Sequence, residues 1–424
     1  MPLLFLGLPQ PARSPRCRLR QDAIPPNSQR HLPAPMVCRL FAPPLFSLLL
    51  ICSRVVCSRV VCSLVLALLV PTQLLTAQIN AAHQDAVQTN ATLTADMWNR
   101  YEAVQSHMGV RFRIVVYAKS DEHAAESIEA AFAEIARMNR IFSDYDPESE
   151  LSKLGTNAKA GEWVPVSVEF WELSRIANQV SRDSHGAFDM TLGPLTRLWR
   201  RARKDGELPE RSILQSAIAK TGYQKLVVDA EEPRVQLKSE DMRFDAGGIA
   251  KGFAADRALA VLESKGITSA LIDASGDITL GAAPPEQKGW NVGIAPLDAQ
   301  TPVSRKINLA SCAIATSGDA WQAIEINGER YSHIIDPKTG LGLKQRSSVT
   351  VIAPTGALAD AWASAVSVLG PDQGIQIINQ HNDLQAWVVT LQDGKPTVSI
   401  SEGFPATEPV VDRQDDKSEN SDAP

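Results

Sequence analysis

The chain has 424 residues, 44% of them hydrophobic, and a formal net charge of −6, enough to bury a large core in one large or two modest domains. Up to Ala77 there are eight Arg and one Asp, net +7, so residues 78–424 carry −13; a body this acidic, with no basic tract, suits a bound cation and excludes a nucleic-acid binder. Five of the six cysteines (Cys17, Cys38, Cys52, Cys57, Cys62) precede Ala77 and only Cys312 follows it, which excludes an internal disulfide and a cysteine metal cage from the body.

Residues 1–40 are rich in Pro and Arg, Leu45–Val70 is apolar apart from Arg54 and Arg59, and Leu75-Thr76-Ala77 supplies a small-residue exit. These are the three parts of a secretory signal, with Met36 as an alternative start. A permanent N-terminal membrane anchor is the competing reading, because the apolar run is longer than most signal cores. Either way the body is expected on the outer side of the cytoplasmic membrane, in the periplasm or at the membrane surface. The expected division is a leader over 1–77, a linker or short helix over 78–105, one globular domain over 106–404, and a disordered acidic tail over 405–424.

Val110–Ala118 alternates as a strand, and Ile128, Ala131, Phe132, Ile135 and Met138 give Glu122–Ile141 one apolar helical face. Ser143–Leu151 reads as a polar loop with Ser149 as a helix cap. Phe170, Leu173, Ile176, Ala177 and Val180 mark a second helix that stops at Ser184-His185-Gly186, and Ala187–Leu195 reads as a packed loop. Arg197–Pro209 is expected to be basic and exposed, with Pro209 opening a helix through Lys220. Short strands are expected at Leu226–Val228, Arg234–Leu237 and Arg243–Asp245, then a helix reaching Lys265 and ended by Gly266. Ala270–Ile278 reads as a buried strand running into another acidic, glycine-bearing turn, and further strands follow at Trp290–Ile294, Cys312–Thr316 and around Leu384–Thr390. The fold class is mixed α/β.

Three stretches carry chemistry. In Phe244–Asp256 a carboxylate (Asp245), the pair Gly247-Gly248, Lys251 and Gly252 stand where a strand gives way to a helix, a layout that suits a charged ligand at a helix N-terminus. The glycines run G-G-x-x-x-G, and Phe253 follows Gly252, so neither the dinucleotide fingerprint nor the P-loop is satisfied. In Tyr331–Gly340, His333 titrates near neutral pH and can take a proton from a hydroxyl nucleophile, although a lone histidine in a strand also has a purely structural reading. In Leu358–Gly370, Asp360, Ser364 and Ser367 fall at i, i+4 and i+7 on a nearly all-apolar helix. That carboxylate is explained equally by a Mg²⁺ ion held by hard oxygens or by the helix dipole.

Taken together, Met108-Gly109, Ser143-x-Tyr145 with Ser149-Glu150-Leu151, Gly186-Ala187-Phe188-Asp189 with Gly193-Pro194, Asp245–Gly252, His333–Gly340 and Asp360 with Ser364 resemble the ApbE-like FAD:protein FMN transferases, from about Met108 to about Thr390. The resemblance implies a single large flavin transferase domain of mixed sheets and interleaved helices. It implies attack by a Ser or Thr hydroxyl of an acceptor protein on the FMN phosphorus of FAD, with AMP leaving. By the same match Met108, Tyr145, Ala187, Phe188, Asp189, Asp245, Lys251 and Ile334 contact FAD, and Asp360, Ser364 and the Gly248 carbonyl hold Mg²⁺; the chemistry of a hydroxyl attack makes His333 the expected base. This chain departs from the family pattern with Ser364 where Thr is usual, Ser275 where Gly is usual, and Val110 where Thr is frequent. Hydrolysis of FAD to FMN and AMP, and flavin binding without turnover, are the competing functions.

Overall fold

The computed structural model describes residues 97–410, apart from 299 and 319–322, together with the short strand Arg20–Asp22. The signal, the alternative start and most of the acidic tail lie outside the described residues. Contacts divide the chain into one unit of Met1–Asp22 with Arg100–Pro424 and another of Ala23–Asn99; of the latter only Met97–Asn99 are described.

The alternating stretch at Val110 forms the strand expected of it. Phe112, Ile114 and Val116 face one apolar cluster and Val115 and Tyr117 a second, so both faces of the strand are covered. It belongs to a nine-stranded sheet whose spatial order is β1 (Arg20–Asp22), β2 (Asn99–His107), β3 (Val110–Ala118), β7 (Ala270–Ala274), β8 (Asp277–Leu280), β11 (Cys312–Gly318), β14 (Ser347–Ala353), β15 (Gln385–Gln392) and β16 (Lys395–Ile400). Register follows the apolar pattern, with Ile114 opposite Ile272 and Ile314 opposite both Ile278 and Ile352. Three small sheets complete the strands: β4 (Trp163–Pro165), β6 (Arg234–Leu237) and β5 (Leu226–Val228) in that order; β17 (Glu408–Pro409), β10 (Arg305–Leu309) and β9 (Trp290–Gly293); and β12 (Ala323–Ile326) with β13 (Glu329–Ser332).

The described helices are α1 (Asp121–Phe142), α2 (Glu150–Asn157), α3 (Val168–Asp183), α4 (Gly193–Asp205), α5 (Arg211–Lys220), α6 (Ala250–Ser264) and α7 (Gly356–Ile378). Helix α1 packs on α6, α6 on α7, and α7 on β11 and β14. One core therefore lies between these helices and the sheet, while Trp290, Val292 and Ile307 of the β9–β10 sheet cover its opposite face.

Several expectations need correction. Asn99–His107 is a strand that begins inside the stretch read as linker and runs past its end. Gly193–Asp205 is a helix where a loop and an exposed connection were expected; Pro194 in its first turn and Gly206 at φ +73 are its start and stop. Pro209 lies outside α5, because Glu210 is still extended. Arg243–Asp245 is not a strand; Arg243 makes only an isolated bridge to Leu192. The helix from Gly356 continues past Gly370, which takes φ 77 and lets Pro371 open a second half. His333 falls just beyond the end of β13, and Glu408–Pro409, within the stretch read as disordered, pairs with β10.

Candidate active site

Helices α6 and α7 approach more closely than side chains permit. A Cβ on Gly252 would stand 2.0 Å from the Gly356 carbonyl oxygen, and one on Gly356 2.5 Å from that of Gly252. Asp256 fixes the crossing from one turn further along α6: its carboxylate accepts from the Gly356 and Ala357 amides at 2.6 and 2.9 Å and from Thr279 Oγ1 at 3.1 Å. Thr355 caps the same end through the Leu358 amide. Burial pushes the Asp256 carboxyl up to about 6.

This crossing sets Lys251 beside Asp360. Lys251 Nζ bonds the Asp277 carboxylate at the start of β8 and lies 3.4 Å from Asp360 Oδ2, which also accepts the Gly252 amide at 3.3 Å. Both carboxylates are buried, whereas the Lys251 side chain remains a quarter exposed. Burial works against the charge on Lys251, but Asp277 and Asp360 outweigh it and hold its pKa above that of an ordinary lysine. Burial, reinforced by Asp277, pushes Asp360 well above the usual carboxylate range, with Lys251 and the Gly252 amide pulling the other way.

The predicted metal ligands come together here. A Cβ on Gly248 would lie 2.8 Å from Ser364 Oγ and 3.5 Å from the Phe188 ring, so the glycine turn runs directly against the hydroxyl one turn beyond Asp360. Ser367 does not join them, since its hydroxyl turns back onto the Ala363 carbonyl at 2.8 Å. No cluster of three or more His, Cys, Asp or Glu suited to a metal occurs among the described residues. The set at hand is of another kind, with one carboxylate, one hydroxyl and the backbone of Gly248 beside it. Two buried carboxylates against one ammonium leave negative charge in excess, and hard oxygens around it fit a hard divalent cation.

Of the expected FAD contacts, Phe188 and Asp245 meet the glycine turn directly. Asp245 Oδ1 accepts the Gly247 amide at 2.8 Å and Oδ2 accepts Thr196 Oγ1 at 2.7 Å, which shapes the glycine turn. Asp189 is buried, and its oxygens accept Thr191 N, Thr191 Oγ1 and Tyr223 N at 2.7 to 2.8 Å. Burial raises its pKa against those donors. Tyr145 is 77% exposed and lies over Arg200, 4.1 Å from ring centroid to guanidinium carbon, while Arg200 pairs with Asp144 at 2.6 Å. Met108 takes φ 50 at the β2–β3 turn and packs against the main core.

His333 and Ile334 follow β13 on a loop anchored by α4. Trp199 Nε1 donates to the Ser332 carbonyl at 3.1 Å, and the Ile334 amide donates to Ser332 Oγ at 3.1 Å. Helix α4 therefore ties this loop and, through Thr196, the glycine turn to one support. A cavity of about 440 Å³ is lined by Ala187, Asp336, Lys338, Leu369 and Gln373, so it joins the Gly186–Asp189 loop to the Asp336–Gly340 loop and the second half of α7. A larger cavity, about 800 Å³, lies between α3 and β5 and holds none of the expected site residues.

Sequence reading missed Asp277, Thr196, Arg200 and Asp256. Asp277 stood in a visible acidic glycine turn, Ser275-Gly276-Asp277, but only the fold reveals that it reaches Lys251. Thr196 and Arg200 lie on the unrecognised α4.

A mixed α/β body with a lysine bridging two buried carboxylates, beside a glycine turn and a hydroxyl, defines the class of site. The ApbE family model matches residues 108–388. The chain is 31% identical over 280 residues to a FAD:protein FMN transferase of Klebsiella pneumoniae, covering 64% of this chain and 79% of that protein. It is 28% identical over 289 residues to the protein of the same name from Escherichia coli K12, covering 67% and 82%. Among solved structures, the flavin transferase ApbE of Vibrio cholerae superposes with a TM-score of 0.63 at 26% identity, covering 73% of this chain and 99% of that one. The ApbE protein of Thermotoga maritima gives 0.63 at 30% identity, covering 72% and 97%. The chain belongs to the ApbE family.

Proposed function

We propose that this chain is a Mg²⁺-dependent FAD:protein FMN transferase that moves the FMN part of FAD onto a Ser or Thr hydroxyl of an exported or membrane-bound acceptor protein and releases AMP. The observation that carries this reading is the convergence of Lys251, Asp360, Ser364 and Gly248 in one corner, in a chain whose relatives bear that name. Pyrophosphate cleavage needs charge neutralisation at the phosphates and a positioned base for the incoming hydroxyl.

Lys251 supplies a fixed positive charge, because Asp277 and Asp360 keep it protonated. Gly248, Asp360 and Ser364 are the residues that would hold Mg²⁺, which supplies Lewis-acid stabilisation of the phosphate oxygens when bound. The Ala187–Asp189 loop, with Asp189 locked by Thr191 and Tyr223, offers a rigid wall for the flavin nucleotide. Asp245 holds the glycine turn in place, and Tyr145 presents an exposed aromatic face. His333 takes the proton of the attacking hydroxyl as its oxygen bonds to phosphorus and the bond to the AMP phosphate breaks. The apolar run Leu45–Val70 supports export; no helix of the described residues is long and apolar enough to cross a membrane.

The test is to incubate the purified chain with FAD, Mg²⁺ and a candidate acceptor protein. Covalent flavin on the acceptor with equimolar AMP is the expected result. AMP without labelled acceptor would reassign the chain to FAD hydrolysis, and intact FAD would remove both enzymatic readings. His333→Ala is expected to lose turnover by at least about a hundredfold while retaining FAD binding.

A further inference from the structure

The two acids beside Lys251 are not equivalent. Asp277 opens β8, an interior strand that pairs with β7 through Ile278 opposite Asp273 and with β11 through Ala315 opposite Asp277 itself. The turn that delivers it is fixed as well, since Asp273 Oδ1 accepts the Gly276 amide at 3.0 Å. Asp277 and Thr279, two residues apart, send their side chains from the same face of β8 toward the helix joint. Thr279 Oγ1 bonds Asp256 at 3.1 Å, and that carboxylate holds the first amides of α7. Asp277 takes Lys251, from the first turn of α6. One rigid strand therefore registers both helices, and the ammonium is tied to the sheet.

Asp360 reaches the same ammonium from α7, less closely. Lys251 Nζ bonds Asp277 Oδ2 but lies 3.4 Å from Asp360 Oδ2, beyond the usual length of such a bond. Asp360 Oδ2 accepts the Gly252 amide at a similarly long 3.3 Å, and among the described residues its Oδ1 takes no hydrogen bond. Asp277 is thus committed to the lysine, while Asp360 keeps oxygen to spare one helical turn from Ser364, whose hydroxyl stands against Gly248. An ammonium and a hard divalent cation compete for the same carboxylate oxygens. The ion pairs of Lys251 among the described residues are with these two acids. Without the charge of Asp277, Asp360 would be the acid left to pair with Nζ, and the ammonium drawn fully onto it would fill the place of the metal ion.

We propose that Asp277 is a positioning residue that anchors Lys251 to the central sheet and so holds the ammonium off Asp360, letting one corner accommodate two cations, the lysine and a divalent metal ion at Asp360, Ser364 and Gly248. The inference rests on the transferase reading and deepens it by assigning the acid that keeps the two positive charges apart.

The test is a double-mutant cycle read without FAD or turnover. Mg²⁺ is titrated into the full chain, and the midpoint of the rise in unfolding temperature is measured for the unaltered protein, Asp277→Asn, Lys251→Met and the double variant. Were Asp277 to act by its charge alone, its removal would raise the midpoint by the same factor with or without the lysine, because the same charge is lost at the same place. As an anchor it acts through Lys251, so the factor is expected to be about tenfold larger when the lysine is present. Equal factors in the two backgrounds overturn the proposal and leave Asp277 as a source of negative field only. Asp277→Glu keeps the charge and displaces the anchor, and it decides the matter where Lys251→Met fails to fold: a midpoint raised about threefold or more is expected, and an unchanged midpoint overturns the proposal. An unaltered chain with no Mg²⁺ response would overturn both the proposal and the metal site of the transferase reading. Coupled midpoints in a chain that transfers no flavin to an acceptor would leave Asp277 in its role and remove the transferase reading.

Discussion

At the scale of single residues, Ser275, expected from the resemblance to stand where glycine is usual, carries backbone strain beside the site. It occupies φ 59, in the left-handed region, and is followed by Gly276 at φ 107. A non-glycine residue there costs about 1 kcal/mol, and the bond from Ser275 Oγ to the Arg111 carbonyl at 3.0 Å returns part of it. Ser275→Gly is therefore expected to raise stability by roughly 0.5 kcal/mol, whereas Ser275→Ala keeps the strained backbone, loses the bond and lowers it. Thermal unfolding of the pair checks this, and shifts of the same sign would refute the strain argument. The turn matters because Asp277, two residues on, bonds Lys251. Lys251, Gly248, Asp360 and Ser364 could be singled out from the sequence since their residue types announce charge, tight turn and oxygen ligand. Asp277 and Thr196 could not, because a long-range partner leaves no local pattern.

At the scale of elements, the crossing of α6 and α7 is the joint on which the site depends. Gly252→Ala would drive a methyl against the Gly356 carbonyl, with 2.0 Å of space available. It should cost about 3 kcal/mol and abolish activity by moving Lys251 from Asp360; urea unfolding and a transfer assay would show both, and an alanine variant of native stability would exclude the close packing described. Asp256 adds a pH dependence to the same joint. Folded Asp256 keeps its proton up to about 6, against an ordinary value of 3.8, so between these values the folded state binds more protons than the unfolded one. Stability must then fall as pH rises through that window, by up to roughly 3 kcal/mol, and flatten above it. Asp256→Asn should lack this component, and parallel stability curves from pH 4 to pH 7 would contradict the assignment. Amphipathic helices with a clean apolar face, such as α1, were legible from periodicity alone. Helix α4 was not, because its dense arginines read as an exposed connection and Gly193-Pro194 as a loop, although the same pair opens the helix.

At the scale of the whole molecule, two covered faces of one sheet bring chain segments more than a hundred residues apart into a single corner, with Lys251 and Asp360 as its joined ends. That corner is strained electrostatically, because Asp277 and Asp360 are both buried and only one ammonium lies between them. A divalent cation bound at Gly248, Asp360 and Ser364 would relieve the excess negative charge, so it must favour the folded state over the unfolded one. Mg²⁺ at a hundred times its Kd should then stabilise the protein by about 2.7 kcal/mol. Asp360→Ala should remove this Mg²⁺-dependent gain even if its own stability in chelator is unchanged or higher, since the variant discards a buried carboxylate. Ser364→Thr provides the opposite arm. The added methyl restricts the hydroxyl rotamer, so the midpoint of the Mg²⁺ titration should move to lower concentration. Because unfolding in Mg²⁺ without FAD needs no turnover, these shifts report on the metal corner alone. An identical Mg²⁺ response in all three proteins would place the cation elsewhere and leave Asp360 as a partner of Lys251 only.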